Sequence, residues 1–372
     1  MHFMFITPDR VDGGAERVFT LLANTLVKAE HEVTFVQYAF KDSDYPLDAR
    51  VNLVAMPKYR VQEKAITGIP RRAYYLRKIM RKYQPDVVIP ILAYTQIEAF
   101  IASQGLKTKL ISAIRNNPAR SPVRKAERIV RDILCAFSDG IMVQTETQKN
   151  YFPQCLRKKI FVVSNPIGEQ FLDITWRSHG GIRQIVNVGR LIAQKNQSIF
   201  LESMKDIHQK YPKIKGVIYG EGPDRNKLKA KIKELKLEDV VELRGQVSDI
   251  QMQLLDCDLF VLCSNFEGFP NALIEAMAMG LPSISTDCPT GPAEIIDSGR
   301  NGLLIPVNDT KSLTEAIEWM ICHYDEAVEM GKQGRDYVCG TMNAEAICNY
   351  LVKQCSMIVE RKRHEGKNCN SL

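Results

Sequence analysis

Asn265-Phe266-Glu267-Gly268-Phe269-Pro270-Asn271-Ala272-Leu273-Ile274-Glu275-Ala276-Met277-Ala278-Met279-Gly280 reads as a loop that runs into a helix. The apolar run before it, Leu259 to Cys263, has the length of a buried strand. Pro270 stands where a first helical residue is expected, and Gly280 with Pro282 closes the helix. Strand, loop and helix start in that order leave free backbone N–H groups and a dipole that favour an anion. Glu267 falls in the loop, and Glu275 falls about five residues into the helix, roughly 8 Å along its axis. Carboxylates so far apart do not share a proton. They suit one extended ligand gripped at two hydroxyl-rich ends, with phosphates at the helix start between them. A nucleotide-sugar has that shape, and the plain alternative is a strand–helix unit carrying two solvated glutamates.

The Glu-x7-Glu spacing with Gly268-Phe269-Pro270 inside it resembles the donor site of retaining glycosyltransferases of family 4. These have the GT-B fold, an α/β architecture of two doubly wound Rossmann-like domains facing each other across a cleft. The resemblance implies that Glu267 holds sugar hydroxyls and steadies the developing positive charge, while Glu275 binds the ribose. It also places Gly268, Phe269, Pro270, Asn271, Ala272 and Leu273 along the donor. Gly189-Arg190-Leu191 follows a strand directly, and Lys195 comes five residues after the arginine. Two permanent cations beside a helix start neutralise a diphosphate and, better, its departing form; the matching Arg and Lys of the family do this. Asp12-Gly13-Gly14-Ala15-Glu16 opens the first helix, and two glycines there allow close approach to a phosphate. In the family the pair, here through Gly14, faces the donor diphosphate across the cleft. Arg244-Gly245-Gln246-Val247 ends another strand beside the base in relatives, with Val247 as a main-chain contact. Asp287 to Ile296, with its Gly291-Pro292 turn, is shared with relatives that use UDP-hexoses or UDP-N-acetylhexosamines.

At 372 residues the chain outgrows a single core, so two domains are expected. Composition is globular, with 45% hydrophobic and 25% charged residues. No apolar run reaches the ~18 residues of a bilayer span, and the start lacks the basic and apolar regions of a signal peptide. The ten cysteines form no Cys-x-x-Cys pair and the six histidines do not cluster with them, which argues for reduced thiols and against zinc. Charge is uneven. Residues 1–168 carry 26 Lys and Arg against 15 Asp and Glu, or +11, so with a chain total of +7 the remainder sums to −4. A basic first half points to an anionic surface or substrate.

Strand-like and helix-like runs alternate, which implies parallel sheets covered by helices. Strands are expected at Phe3–Ile6, Val33–Tyr38, Asp86–Ile91, Lys109–Ile114, Gly140–Thr145 and Ile160–Val163. The second series is Ile185–Val188, Gly216–Tyr219, Val240–Arg244, Leu259–Cys263, Pro282–Thr286 and Gly302–Ile305. Residues 69–83 form a basic amphipathic helix with three tyrosines, a pattern that suits an anionic bilayer or, equally, an ordinary surface helix. A second basic cluster, Arg115, Arg120, Arg124, Lys125, Arg128 and Arg131, favours membrane or pyrophosphate contact. Arg115-Asn116-Asn117 ends a strand where many relatives carry a histidine; Glu16, Arg115 and Asn116 are the acceptor-side candidates. Tyr219-Gly220-Glu221-Gly222-Pro223 is half a dinucleotide fingerprint without its third glycine, so NAD is not expected. Asp256-Cys257-Asp258 matches a metal motif of another glycosyltransferase fold, but its place before a buried strand reads as strand-start polarity.

The expected organisation is an acceptor-binding domain over 1–170 and a nucleotide-sugar-binding domain over 171–342. A helix over 343–360 crosses back to the first domain, and a basic tail follows over 361–372. The polar stretch Thr175 to Arg183 reads as the linker. The expected activity is transfer of a hexose or N-acetylhexosamine from a UDP-sugar, with retention, to a polyprenyl-diphosphate-linked glycan in cell-surface polysaccharide or oligosaccharide assembly. Catalytic roles fall to Glu267, Arg190 and Lys195, and donor contacts include Gly14, Gly189, Val247 and Glu275. No cofactor and no metal are expected, because Arg190 and Lys195 supply the positive charge. The expected place is the cytoplasmic face of the plasma membrane, as a peripheral protein, with no nucleic-acid partner. The alternatives are a UDP-sugar epimerase of the same fold and a non-catalytic sugar-nucleotide or polyanion-binding protein.

Overall fold

The computed structural model describes residues 1–7, 13–38, 45–56, 68–91 and 93–368, the last eight by backbone only. Asp12 and residues 369–372 of the basic tail lie outside the described residues. Contacts divide the chain into two units, Met1–Pro166 with Ala344–Leu372, and Ile167–Asn343.

In the first unit β1 (His2–Thr7) leads through α1 (Gly14–Lys28) to β2 (Glu32–Gln37) and β3 (Asn52–Ala55). Then come α2 (Ile69–Tyr83), β4 (Val87–Pro90), α3 (Ala93–Ser103), β5 (Lys109–Ala113) and α4 (Lys125–Phe137). The unit closes with β6 (Gly140–Val143), α5 (Glu146–Tyr151) and β7 (Ile160–Val162). The parallel sheet has the order β3-β2-β1-β4-β5-β6-β7. β1 is buried along its whole length, which is why it reads as one apolar run. β3 was not expected from the sequence; its residues are half-buried or exposed, as befits an edge strand with little apolar signal.

The second unit holds α6 (Glu169–Leu172), β8 (Gln184–Val188), α7 (Gln197–Lys210), β9 (Lys215–Tyr219), α8 (Arg225–Glu234) and β10 (Val241–Gly245). α9 (Ile250–Leu254), β11 (Leu259–Leu262), α10 (Asn271–Met279), β12 (Ser283–Thr286) and β13 (Leu303–Ile305) follow, then α11 (Thr310–Cys322) and α12 (Tyr324–Thr341). Its sheet order is β10-β9-β8-β11-β12-β13, again parallel. α13 (Ala344–Asn368) packs on α1 in the first unit and runs past residue 360, so no helix end separates it from the residues read as a tail.

The stretch read as a linker is pinned to the second unit. Trp176 is 6% exposed, and its indole N–H donates to the Cys257 carbonyl at 2.6 Å. Asp258 is buried and accepts from the backbone of Arg183 and Gln184 at 2.8 and 2.9 Å, and meets His179 at 2.6 Å. This carboxylate anchors the start of β8, while Asp256 faces solvent. A polar composition reads as a linker because it says nothing of where a single tryptophan will dock.

Candidate active site

In each sheet the strand order reverses once, between β1 and β4 in the first unit and between β8 and β11 in the second. Loops at the carboxyl ends of such a pair make the crevice where open α/β sheets bind ligands. The loop after β8 carries Gly189, Arg190 and Lys195, and the loop after β11 carries Glu267. Topology therefore brings together residues 72 positions apart.

Backbone packing shapes the first of these loops. Gly189 N–H donates to the Tyr219 carbonyl at 3.0 Å, and Gly220 N–H to the Gly245 carbonyl at 2.7 Å. Gly220 has φ +138°, and a Cβ there would lie 2.0 Å from the Gly189 oxygen. A Cβ on Gly222 would lie 2.4 Å from the Leu191 oxygen. The Gly-x-Gly turn thus serves close contact with the 189–191 backbone. Val247 is half-buried just beyond the same strand ends.

The two loops are then laced. Asn265 N–H donates to the Gln194 carbonyl at 2.8 Å, its side-chain amide to the Ala193 carbonyl at 2.9 Å, and Gln194 returns a bond to the Phe266 carbonyl at 2.9 Å. From below, Thr290 Oγ1 donates to the Glu267 carbonyl at 2.7 Å, and Glu267 N–H donates to the Pro289 carbonyl at 3.1 Å. Gly291, at φ +98°, lies so close to Pro270 that a Cβ would sit 2.8 Å from its Cδ. This held frame sets Lys195 Nζ 2.5 Å from Glu267 Oε1, and Ser264 Oγ donates to the same oxygen at 2.5 Å. Glu267 is 5% exposed. Ser264, Thr290 and Asn187, whose amide bonds the Val261 carbonyl at 2.8 Å, are site residues that the sequence reading missed. Their signal was only their place in or after β8, β11 and β12.

Arg190 is exposed and forms no ion pair among the described residues; its carbonyl accepts from Gln197 at 3.1 Å. Pro270 caps α10 with extended ψ 92° and the helix begins at Asn271, one residue later than expected. Phe269, Leu273 and Glu275 are buried, and Asn271 and Ala272 half-buried, on the opening turns of that helix. Gly280 ends it in the left-handed conformation, as read from the sequence.

In the first unit Gly13 and Gly14 begin α1, but the Glu16 carboxylate folds back over Gly13, 1.7 Å from where a Cβ would be. The first glycine therefore makes room for Glu16. Arg115 bonds the Asn165 side chain and lies over the Phe19 ring, 5.1 Å from its centroid. Its Nε and Nη1 are buried without a hydrogen-bond partner. Burial pushes the guanidinium down to about 9 while Glu16 opposes the shift, so it stays charged at neutral pH. Asn116 is half-buried beside it.

The basic clusters are less available than their sequence suggests. Arg72 pairs with buried Glu98, which also accepts from Tyr38. Arg77 donates to the Ala102 and Gln104 carbonyls at 2.8 and 2.6 Å, closing the end of α3. Arg128 bonds the Pro122 and Val123 carbonyls, and Arg131 is buried against Asp132. Composition counts charges but does not say which of them cap carbonyls.

A family model described as Glycosyltransferase Family 4 matches residues 12–171, and one described as Glycosyl transferases group 1 matches residues 175–337. The chain is 29% identical over 330 residues to the Campylobacter jejuni GalNAc-alpha-(1->4)-GalNAc-alpha-(1->3)-diNAcBac-PP-undecaprenol alpha-1,4-N-acetyl-D-galactosaminyltransferase, covering 86% of this chain and 89% of that one. It is 26% identical to the amylovoran biosynthesis glycosyltransferase AmsD of Erwinia amylovora, covering 83% and 86%. Among solved structures, Anabaena HepE in complex with UDP and glucose superposes with TM-score 0.81 at 16% identity, covering 96% of this chain and 100% of that one.

Proposed function

Because the chain belongs to glycosyltransferase family 4 and has the GT-B fold, we propose that it moves a hexose or N-acetylhexosamine, with retention, from a UDP-sugar to a polyprenyl-diphosphate-linked glycan in cell-surface polysaccharide or oligosaccharide assembly. The observation that carries this reading is the Lys195–Glu267 pair at 2.5 Å, beyond the strand ends that flank the reversal of the second sheet. The Anabaena structure is a complex with UDP and glucose, and the Campylobacter relative is named for a glycan carried on PP-undecaprenol. These support the donor base and the acceptor class.

Lys195 has three donors, and Glu267 takes one of them. The others, with the Arg190 guanidinium, stabilise a diphosphate most strongly as it departs, with no metal invoked. Glu267, fixed by Lys195 and Ser264, holds sugar hydroxyls and balances the positive charge that grows on the ring. The acceptor hydroxyl oxygen bonds C1 on the face the diphosphate leaves. The bond from C1 to the phosphate oxygen breaks, and that oxygen takes the hydroxyl proton. No strong protein base is needed, in keeping with Arg115-Asn116-Asn117 where relatives carry a histidine. Glu275 binds the ribose, Gly14 and Val247 touch the donor, and Glu16, Arg115 and Asn116 serve the acceptor. The exposed cations Lys78, Arg81, Lys82, Arg124 and Lys125 support peripheral attachment at the cytoplasmic face of the plasma membrane. Among the described residues no helix is long and apolar enough to cross a membrane.

The test is UDP or GDP release from a panel of sugar-nucleotides, with and without extracted bacterial lipid acceptors, beside a Glu267→Gln control. Release from one UDP-sugar that rises with lipid and vanishes in the control is expected. No release from any donor, with UDP still bound, would favour a non-catalytic binding protein.

A further inference from the structure

α4 turns its apolar side outward. Ile129, Val130, Ile133 and Phe137 are 52%, 43%, 51% and 70% exposed, at spacings that line one side of a helix. The opposite side is buried through Leu134, Cys135 and Arg131. Arg131 is held there by Asp132 at 2.7 Å and by the Ser121 carbonyl. The helix thus keeps an arginine in and four large apolar side chains out. Single exposed apolar residues need no account, but a contiguous stripe does.

The surroundings say what covers it. α2, α3 and α4 each connect strands that step the same way along the sheet, so right-handed crossovers place them in one layer. α2 packs on α3 and α3 on α4, with the Phe100 and Phe137 rings 6.3 Å apart. Lys78, Arg81 and Lys82 are exposed on α2, and Lys78 lies over the Tyr74 ring at 4.7 Å. Arg124 and Lys125 are exposed at the start of α4. Of the acidic groups on α4, Asp132 is taken by Arg131 and Tyr151, and Glu127 lies 3.7 Å from Arg124. One layer therefore presents an apolar stripe with aromatic and cationic neighbours. That combination matches an anionic bilayer interface, where cations meet headgroup phosphates and apolar side chains enter the acyl boundary.

We infer that α4 inserts Ile129, Val130, Ile133 and Phe137 into the interface of an anionic bilayer, with the α2 cations at headgroup level. This rests on the membrane reading given above and names the element that enters the lipid. The test sediments the full-length protein with phosphatidylglycerol–phosphatidylcholine vesicles and with phosphatidylcholine alone. Ile129→Ser/Ile133→Ser/Phe137→Ser changes only exposed positions, and an unchanged far-UV spectrum and melting temperature verify its fold. Its binding to anionic vesicles is expected to fall at least tenfold. Phe137→Trp is expected to gain blue-shifted emission, above the Trp176 and Trp319 background, that acyl-brominated lipid quenches. A serine variant that binds like the parent, with Phe137→Trp unquenched, overturns the α4 assignment and leaves attachment by charge alone. A parent protein that ignores anionic vesicles overturns both readings. A dimer in sedimentation velocity that the serine variant converts to monomer assigns the stripe to a second copy and likewise overturns the inference.

Discussion

Lys195 and Glu267 are 17% and 6% exposed at their side chains, so their attraction acts where water screens it poorly. Removing one member of such a pair costs more than removing both, because the survivor stays buried without its partner. Lys195→Ala should therefore destabilise the second unit by about 1–3 kcal/mol in urea unfolding, discounted for the partial exposure of the lysine. Lys195→Ala/Glu267→Gln should recover part of that loss, and additive effects would contradict the pairing. Under the proposed function, Glu267→Gln alone should lower kcat about 100-fold or more, as expected for a group aimed at developing charge, and should destabilise less than Lys195→Ala because the amide oxygen still accepts from Lys195. Another residue sets a pH response. His2 is buried against Thr34 at 2.8 Å, and burial pushes its imidazole below the usual 6.5, although Glu32 and Asp86 oppose the shift. The unfolded chain then takes a proton that the folded chain refuses. Stability is full above pH 6.5 and declines as pH falls toward the lowered value. Melting curves between pH 7.5 and 5 should show that slope, and His2→Gln should flatten it.

At the scale of elements, the turns after the strands are set by backbone contact. Gly220→Ala would force a Cβ to 2.0 Å from the Gly189 oxygen at a φ that other residues rarely adopt. It should lower the melting temperature of the second unit by several degrees or prevent its folding, and, under the proposed function, should weaken UDP binding through the displaced 189–195 loop. Gly340 is the contrast. It lies in the last turns of α12 with nothing within 4 Å of an added Cβ, so Gly340→Ala should stabilise by about 0.5 kcal/mol in the same melt. α2 offers a similar lesson. Its apolar positions Ile69, Ala73, Leu76 and Met80 recur at helical spacing, and of these Ala73, Leu76 and Met80 are buried while Ile69, at the helix start, is half-buried. Which of its cations face outward depended on Glu98 and the end of α3, elements that are distant in sequence.

At the scale of the molecule, the two units differ in continuity. The second is one uninterrupted segment with its own core around Phe200, Met204, Leu259 and Ile284. The first needs both chain ends: α13 packs on α1, Ser356 Oγ lies 3.0 Å from Met1 Sδ, and Ile358 lies over Gly140. A chain ending at Asn343 should therefore lose cooperative melting of the first unit while the second still unfolds as a unit, readable as one of two calorimetric transitions disappearing. What the sequence alone determined was the period of its hydrophobic runs, and with it two series of buried parallel strands, their helices, and the loop–helix stretch from Glu267 to Gly280. These follow from local pattern, because a strand buried on both faces must be apolar throughout and a helix must show its stripe. Only the tertiary structure decided that Lys195 grips Glu267, that Ser264 joins them, that Trp176 fixes the supposed linker, and that α4 faces its apolar side outward. Each depends on which strand ends become neighbours and on which face of an element the rest of the chain covers. Both are set by long-range packing, which no local spacing encodes.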